Sequence, residues 1–470
     1  MLRRRLLGLC LAFAAVAIAG LGLDGAEAGH EEALANTNCP EHPPIAITED
    51  VGEQGFVLGP EVGPLTAPTY RPGSGVVAGS GTAVNPYVIE EWCISSDPQA
   101  WPTDTPNRDV AISIQDTSAH VVVRDNVVAS EGNFASGVEI RNAEHVRIVA
   151  NDVAGHARNG VRVVGSEDVD VQANRLAGNG DLGVRVDGGL TVSTTGNTIV
   201  ANDEGAVHVT GTANAAVEAN DIADNGDGIA FVDADTPAVD DNTIQSNGDT
   251  GIALTRSDEG AIRGNEIDRS GLPDAIRLFD TDQTTIADNT ITRTINGIGL
   301  WVASDDNTIR SNTVRSTSGD GVTVSFSANT VVKANTIEDN TGHGLRLAGT
   351  GSLVEANTIL GNDAGIDVGQ ASTGATIEAN ELASNRVGVA IEASPTDGLH
   401  RNVIENNAEA GLAVTDVAEP VPAQDNGWGH DSGPSGGVAD ACTGAVADGD
   451  GQAIATSSAD VCFDPWLETG

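Results

Sequence analysis

The 470-residue chain carries 68 acidic and 23 basic side chains, a formal net charge of −45. That excess excludes an ordinary nucleic-acid-binding surface, because phosphates would be repelled almost everywhere. Aromatic residues make up only 3% of the chain, yet at 39% hydrophobic content it has too many aliphatic residues for a disordered acidic chain.

The first segment reads as a targeting signal. Arg3, Arg4 and Arg5 precede an apolar run from Leu6 to Leu23, and Ala26-Glu27-Ala28 offers a small-x-small cleavage site. Cleavage near Ala28 is expected, with a retained N-terminal anchor as the alternative, since the apolar run sits at the lower edge of spanning length. The protein is therefore expected to be secreted or on the cell surface, with no membrane span in the mature chain. A surface this acidic, with Lys333 the only lysine, suits a salty medium in which self-repulsion is screened.

Residues 29–85 are expected to form an N-terminal cap. Export makes the cysteines readable. Without Cys10, four remain, and four cysteines allow three pairings. No cysteine lies between Cys93 and Cys442, so the local pairs Cys39–Cys93 and Cys442–Cys462 are expected.

From residue 86 to 425 an internal period governs the chain. Asparagine followed two residues later by an aliphatic recurs from Asn126, Asn151 and Asn174 through Asn380 and Asn402, at intervals of 22 to 25 residues. An apolar-x-apolar pair follows each asparagine after nine to twelve residues, usually led by glycine, as in Gly160-Val-Arg-Val, Gly251-Ile-Ala-Leu and Gly388-Val-Ala-Ile. Three short strands per repeat, each alternating apolar with polar residues, leave no room for helices. They describe one triangular coil of a parallel β-helix, and about 13 such coils make an all-β solenoid. The asparagine is expected at the corner in a left-handed conformation, with the amides bonded as a ladder along the rod. A second asparagine five residues later, from Asn179 to Asn407, recurs in eight coils.

Aligned on the first inward aliphatic of the glycine-led strand, four coils place Asp274, Asn296, Asp320 and His343 in one column. The next outward positions read Arg277, Gly299, Thr323 and Arg346, and beyond them Phe279 and Trp301 point outward. Exposed carboxylates, a histidine, two arginines and two aromatic rings on adjacent coils describe a sugar cleft. Asp274 and Asp320, two coils or about 9.6 Å apart, match the upper end of the separation for an inverting acid and base. In that scheme Asp274, Asp320 and His343 are catalytic, with His343 orienting Asp320. Arg277, Phe279, Asn296, Trp301 and Arg346 hold the substrate.

Metal signals are weaker. Asp221, Asp224, Asp227 and Asp233 crowd one turn region, and Asp448 and Asp450 flank glycines near the C terminus, so calcium is the one cofactor the composition leaves open. Copper would want clustered histidine, methionine or thiolate ligands, and the only methionine is Met1. A further outward column, Arg162, Arg185 and His208, would attract an anionic glycan or offset neighbouring carboxylates. Residues 426–470 read as a C-terminal cap.

The coils resemble the right-handed parallel β-helix repeats of the pectin-lyase-like superfamily, and in texture the NosD-type β-helix proteins. Gly79-Ser-Gly-Thr82 and Asn85-Pro-Tyr-Val-Ile-Glu90 with Trp92 resemble the opening of the first coil in exported members. Asn426-Gly-Trp-Gly429, Ser432-Gly-Pro434 and Phe463-Asp-Pro-Trp-Leu467 resemble their closing motif. Gly342-His343-Gly344 resembles the histidine motif of the polygalacturonases, whose aspartate pair is here Gly319-Asp320 and whose arginine-x-lysine motif is absent. The NosD likeness implies a role in maturing a copper enzyme, which the ligand inventory does not support. The architecture hosts lyases, hydrolases, adhesins and accessory proteins alike. The expectation is a monomeric protein that binds, and as a hydrolase or lyase would process, an extracellular polysaccharide. The rival is a non-catalytic surface or adhesion scaffold.

Overall fold

The structure, a computed structural model, describes residues 39–42, 44–49, 56–58, 75–95, 109–131, 133–270, 273–392, 398–415, 417, 419–456 and 461–467. The leader at 1–28 and much of the expected N-terminal cap lie outside the described residues.

Each coil contributes one strand to each of three faces. Sheet 1 collects the glycine-led strands, from Val110–Thr117 to Ala410–Val414. Sheet 2 holds the strands that precede the repeated asparagine, from Tyr87–Glu90 to Gly398–His400. Sheet 3 holds those that follow it, from Cys93–Ser95 to Val403–Glu405. Pairing between coils is parallel and in register, so residues about 23 apart in sequence are vertical neighbours. Among the described residues there is no helix. This is a right-handed parallel β-solenoid of about 13 turns. Its interior is a column of aliphatics with essentially no exposure, such as Ile267, Ile291, Val314 and Ile337. Each contributes about 1.5–3 kcal/mol by leaving water.

The asparagine ladder is continuous. Asn242 donates its side-chain amide to Oδ1 of Asn265 at 3.0 Å, and Asn265 to Asn289 at 2.9 Å. The same Oδ1 atoms accept the backbone N–H of the preceding coil's asparagine. Every ladder asparagine is thus buried with its polar atoms bonded, which a closed interior requires. One expectation is corrected here: the asparagines are not the left-handed residues. The residue before each one is, as at Asp125 (φ 55°), Ala150 (φ 55°) and Ala173 (φ 53°). That outer residue makes the bend, and the bend turns the asparagine side chain inward to the ladder.

Both disulfides form as expected, with Cα separations of 5.4 Å for Cys39–Cys93 and 5.3 Å for Cys442–Cys462. Stacking reaches beyond the expected coil boundaries of 86 and 425. Ile45–Glu49 already pairs in parallel with Val110–Thr117. Asn426 takes the last place in the ladder, accepting from Asn402 at 2.9 Å. Asn426 keeps the backbone N–H and side-chain amide of Asn402 bonded at the C-terminal end, where Trp428 and Phe463, both fully buried, join the apolar column.

Candidate functional site

Strand register brings the candidate residues together on sheet 1. Asp274 lies beside Asn296, Arg277 beside Gly299 and Phe279 beside Trp301. Thr323 pairs with Arg346 one coil further on. The column is itself hydrogen-bonded: Asn296 Nδ2 donates to Asp274 Oδ1 (3.1 Å), Asp320 N to Asn296 Oδ1 (3.2 Å), and His343 N to Asp320 Oδ1 (2.8 Å).

This geometry corrects one expected exposure and one expected contact. Asp274 is not an exposed carboxylate; it is fully buried, and Trp301 Nε1 donates to its Oδ2 at 2.8 Å. The indole reaches it by folding back over Gly299, where a Cβ would overlap both the indole nitrogen and the Asp274 carboxylate. Burial pushes the Asp274 carboxyl above its ordinary value, against the opposing bonds from Trp301 and Asn296 and the charge of Arg277. Its evident work is to seat the indole. His343 does not orient Asp320 through its ring; the backbone N–H does that. The ring instead faces Asp363 and Asp367, at 3.9 and 3.7 Å.

Asp367 is the residue that sequence reasoning missed. It continues the outward column, in register with Arg346, and its carboxylate lies 3.6 Å from Arg346 Nε. Arg346 also reaches Asp320, at 3.9 Å. Burial pushes Asp367 up, while His343 and Arg346 pull it down and Glu392 and Asp320 add repulsion; the net direction is upward. Extending the aligned column by one coil, to Gly365-Ile-Asp-Val368, would have found it. A carboxyl that holds its proton more readily than usual, a histidine, an arginine and the partly exposed Asp320 together form a proton-transfer and anion-contact cluster.

A groove of about 630 Å³ runs over the corner from sheet 3 into sheet 1, along coils adjacent to this cluster; Ser270, Arg293, Thr294, Ile295 and Thr317 are among its lining. Here the second asparagine ladder is interrupted. It runs from Asn179 through Asn202 and Asn225 to Asn247, meets Ser270, and resumes at Asn340. Shorter side chains at these corners leave the space that an asparagine would fill.

The remaining candidates are structural. Arg162 pairs with Glu139 and Asp187, and Arg185 with Asp187, so these two arginines offset neighbouring carboxylates, while His208 makes no ion pair among the described residues. Among the described residues no three His, Cys, Asp or Glu side chains are grouped to hold a metal ion. The calcium expectation for Asp221, Asp224, Asp227 and Asp233, or for Asp448 and Asp450, therefore finds no assembled ligand set. No helix among the described residues is long and apolar enough to cross a membrane.

The profile of the right handed beta helix region matches residues 136–273 and 274–421, well over half of the chain. The protein belongs to that right-handed β-helix family. No curated protein matches it. Among solved structures it is similar to a periplasmic alginate epimerase, AlgG, at 14% identity over 73% of this chain and 85% of that one, with a TM-score of 0.40. A PL6 alginate lyase bound to a trisaccharide shares 11% identity over 82% and 90%, with a TM-score of 0.47. The Dettilon tailspike protein shares 17% over 66% and 62%, with a TM-score of 0.42. At these identities the likeness is one of fold.

Proposed function

We propose that the protein binds a polysaccharide along sheet 1, across the coils that carry residues 274–346. One observation carries this reading: Trp301 is locked by a buried carboxylate in register with the 41%-exposed Phe279, beside the cluster of Asp320, His343, Arg346 and Asp367. Aromatic faces stack on the apolar faces of sugar rings, and fixed polar groups set orientation. Arg277 and Arg346 suit a sugar carboxylate, Arg346 with about half of its side chain exposed. Any proton transfer in this cleft falls to Asp320, His343 and Asp367. The burial of Asp274, an expected member of the acid–base pair, supports binding without cleavage as the second reading. Two disulfides support an oxidising, exported setting.

The test is a glycan array at low and high salt, with reducing-end and unsaturated-product assays on the bound sugars. Binding is expected to fall at least about tenfold in Trp301→Ala and in Asp320→Ala. Binding that survives both substitutions together refutes the cleft. Product release that depends on Asp320 and Asp367 separates processing from binding alone.

A further inference from the structure

The strand Val322–Ala328 departs from its neighbours. Its pairing with Leu345–Thr350 slips between Ser325 and Ala328, so that one extra residue sits on this strand. Such a bulge breaks the alternation and re-aims a side chain. Phe326 lies beside this slip, in the left-handed corner position that Asp233, Arg256 and Asp280 hold in earlier coils. It adopts φ 52° and is 70% exposed. A left-handed conformation disfavours any residue with a Cβ, and an aromatic ring left in water gains no burial to offset it. Local folding preferences therefore give no reason for phenylalanine here.

Its position supplies one. Trp301 is in register with Ser325, the residue before Phe326, and with Phe279 in the coil before. Three successive coils each present one ring at the same edge of sheet 1. The other aromatic side chains whose burial is described behave differently. Phe134, Phe231, Trp428, Phe463 and Tyr87 are buried, and Trp92 and Trp466 pack against the core. Among the described residues of a chain with 3% aromatic residues, the rings left facing solvent form a single strip.

We infer that Phe326 is a third sugar-stacking subsite, held outward at the left-handed corner that ends its strand, and that the ligand is an extended glycan lying along the rod axis. Two coil steps span about 10 Å at the ~4.8 Å strand spacing. The strip therefore takes at least three pyranose units, with the carboxylate-binding Arg346 one coil beyond. This rests on the polysaccharide reading above and adds ligand direction, minimum length and a residue.

The experiment compares wild type, Phe326→Asn and Trp301→Ala by calorimetric titration with hexagalacturonate, cellohexaose, galacturonobiose and cellobiose, alongside thermal melts. Asparagine tolerates the left-handed conformation, so Phe326→Asn is expected to melt no lower than wild type. It is expected to bind the tighter hexasaccharide about tenfold more weakly, while a disaccharide seated at Trp301 is unaffected. Trp301→Ala weakens both lengths. Unchanged hexasaccharide affinity in Phe326→Asn, or a lowered melting temperature with equal losses for both lengths, overturns the subsite and leaves the polysaccharide reading standing. Wild type that binds none of the four sugars overturns the reading beneath it.

Discussion

Replacing Trp301 with phenylalanine keeps a ring on sheet 1 but removes the N–H that meets Asp274 Oδ2 at 2.8 Å. The acceptor is fully buried and keeps only Asn296 as a side-chain donor. A hydrogen bond to a charged group contributes about 1.5–3 kcal/mol. Local opening of the strand Asn296–Trp301 should become easier by that amount, about 10- to 150-fold faster amide exchange at neutral pH. The pH dependence has a definite sign. Burial raises the folded pKa of Asp274, so its contribution to stability is full below the ordinary carboxylate pKa and is lost as pH rises through the folded one. Trp301 pulls that pKa down; without it the pKa rises further, and the variant loses more at neutral pH than in acid. Protection measured at pH 7 and near pH 4, with Asp274→Asn as the second arm of a double-mutant cycle, isolates the coupling. A coupling under about 0.5 kcal/mol at pH 7, or one that does not shrink on acidification, would refute the account of how Trp301 is seated.

Three further outcomes follow from the ladders and the cap. Asn289→Ala removes the donor to Ile262 O and to Asn312, and the acceptor for Asn265 N and Nδ2. With several buried polar groups left unbonded it should cost about 3 kcal/mol or more, read from urea unfolding. Ser270→Asn should extend the second ladder by one rung, where Asn247 now reaches only a serine Oγ at 3.4 Å. The variant should gain about 1 kcal/mol while narrowing the groove, and a lower urea midpoint would contradict this. Asp440 accepts the backbone N–H groups of Cys442, Thr443, Phe463 and Asp464. Burial opposes ionisation there, but the donors of Asp464, Phe463 and Thr443 outweigh it and hold the carboxyl below its ordinary value. That stability is present above the ordinary carboxylate pKa and lost as pH falls through the folded one. Protection at Val461–Cys462, the slowing of exchange relative to the unfolded chain at the same pH, should fall in acid for wild type, and in Asp440→Asn it should be low already at pH 7.

Much of the candidate site was legible because the register could be counted. Once coils are aligned, Asp274, Asn296, Asp320 and His343 must share a column, and hydrogen bonds join them there. Asp367 obeyed the same rule and lay one coil past the point where the alignment stopped. Phe326 fell outside it, because it stands at the left-handed corner one residue past the last aligned strand position. The interruption at Ser270 was visible as a missing asparagine, but only the groove beside it gives the gap a meaning.

The sequence alone determined the coil, the three faces, the ladder and the disulfide pairs. A 23-residue period forces equivalent positions into vertical contact, and inward aliphatics have only one place to go. Tertiary structure decided which polar groups are wet and which are covered. Asp274 is buried because an indole on the next coil folds across a glycine to reach it, and His343 faces Asp367 because its ring turns along the rod. Periodicity prescribes where a Cα stands, whereas exposure and charge state depend on how neighbouring coils orient their side chains around it.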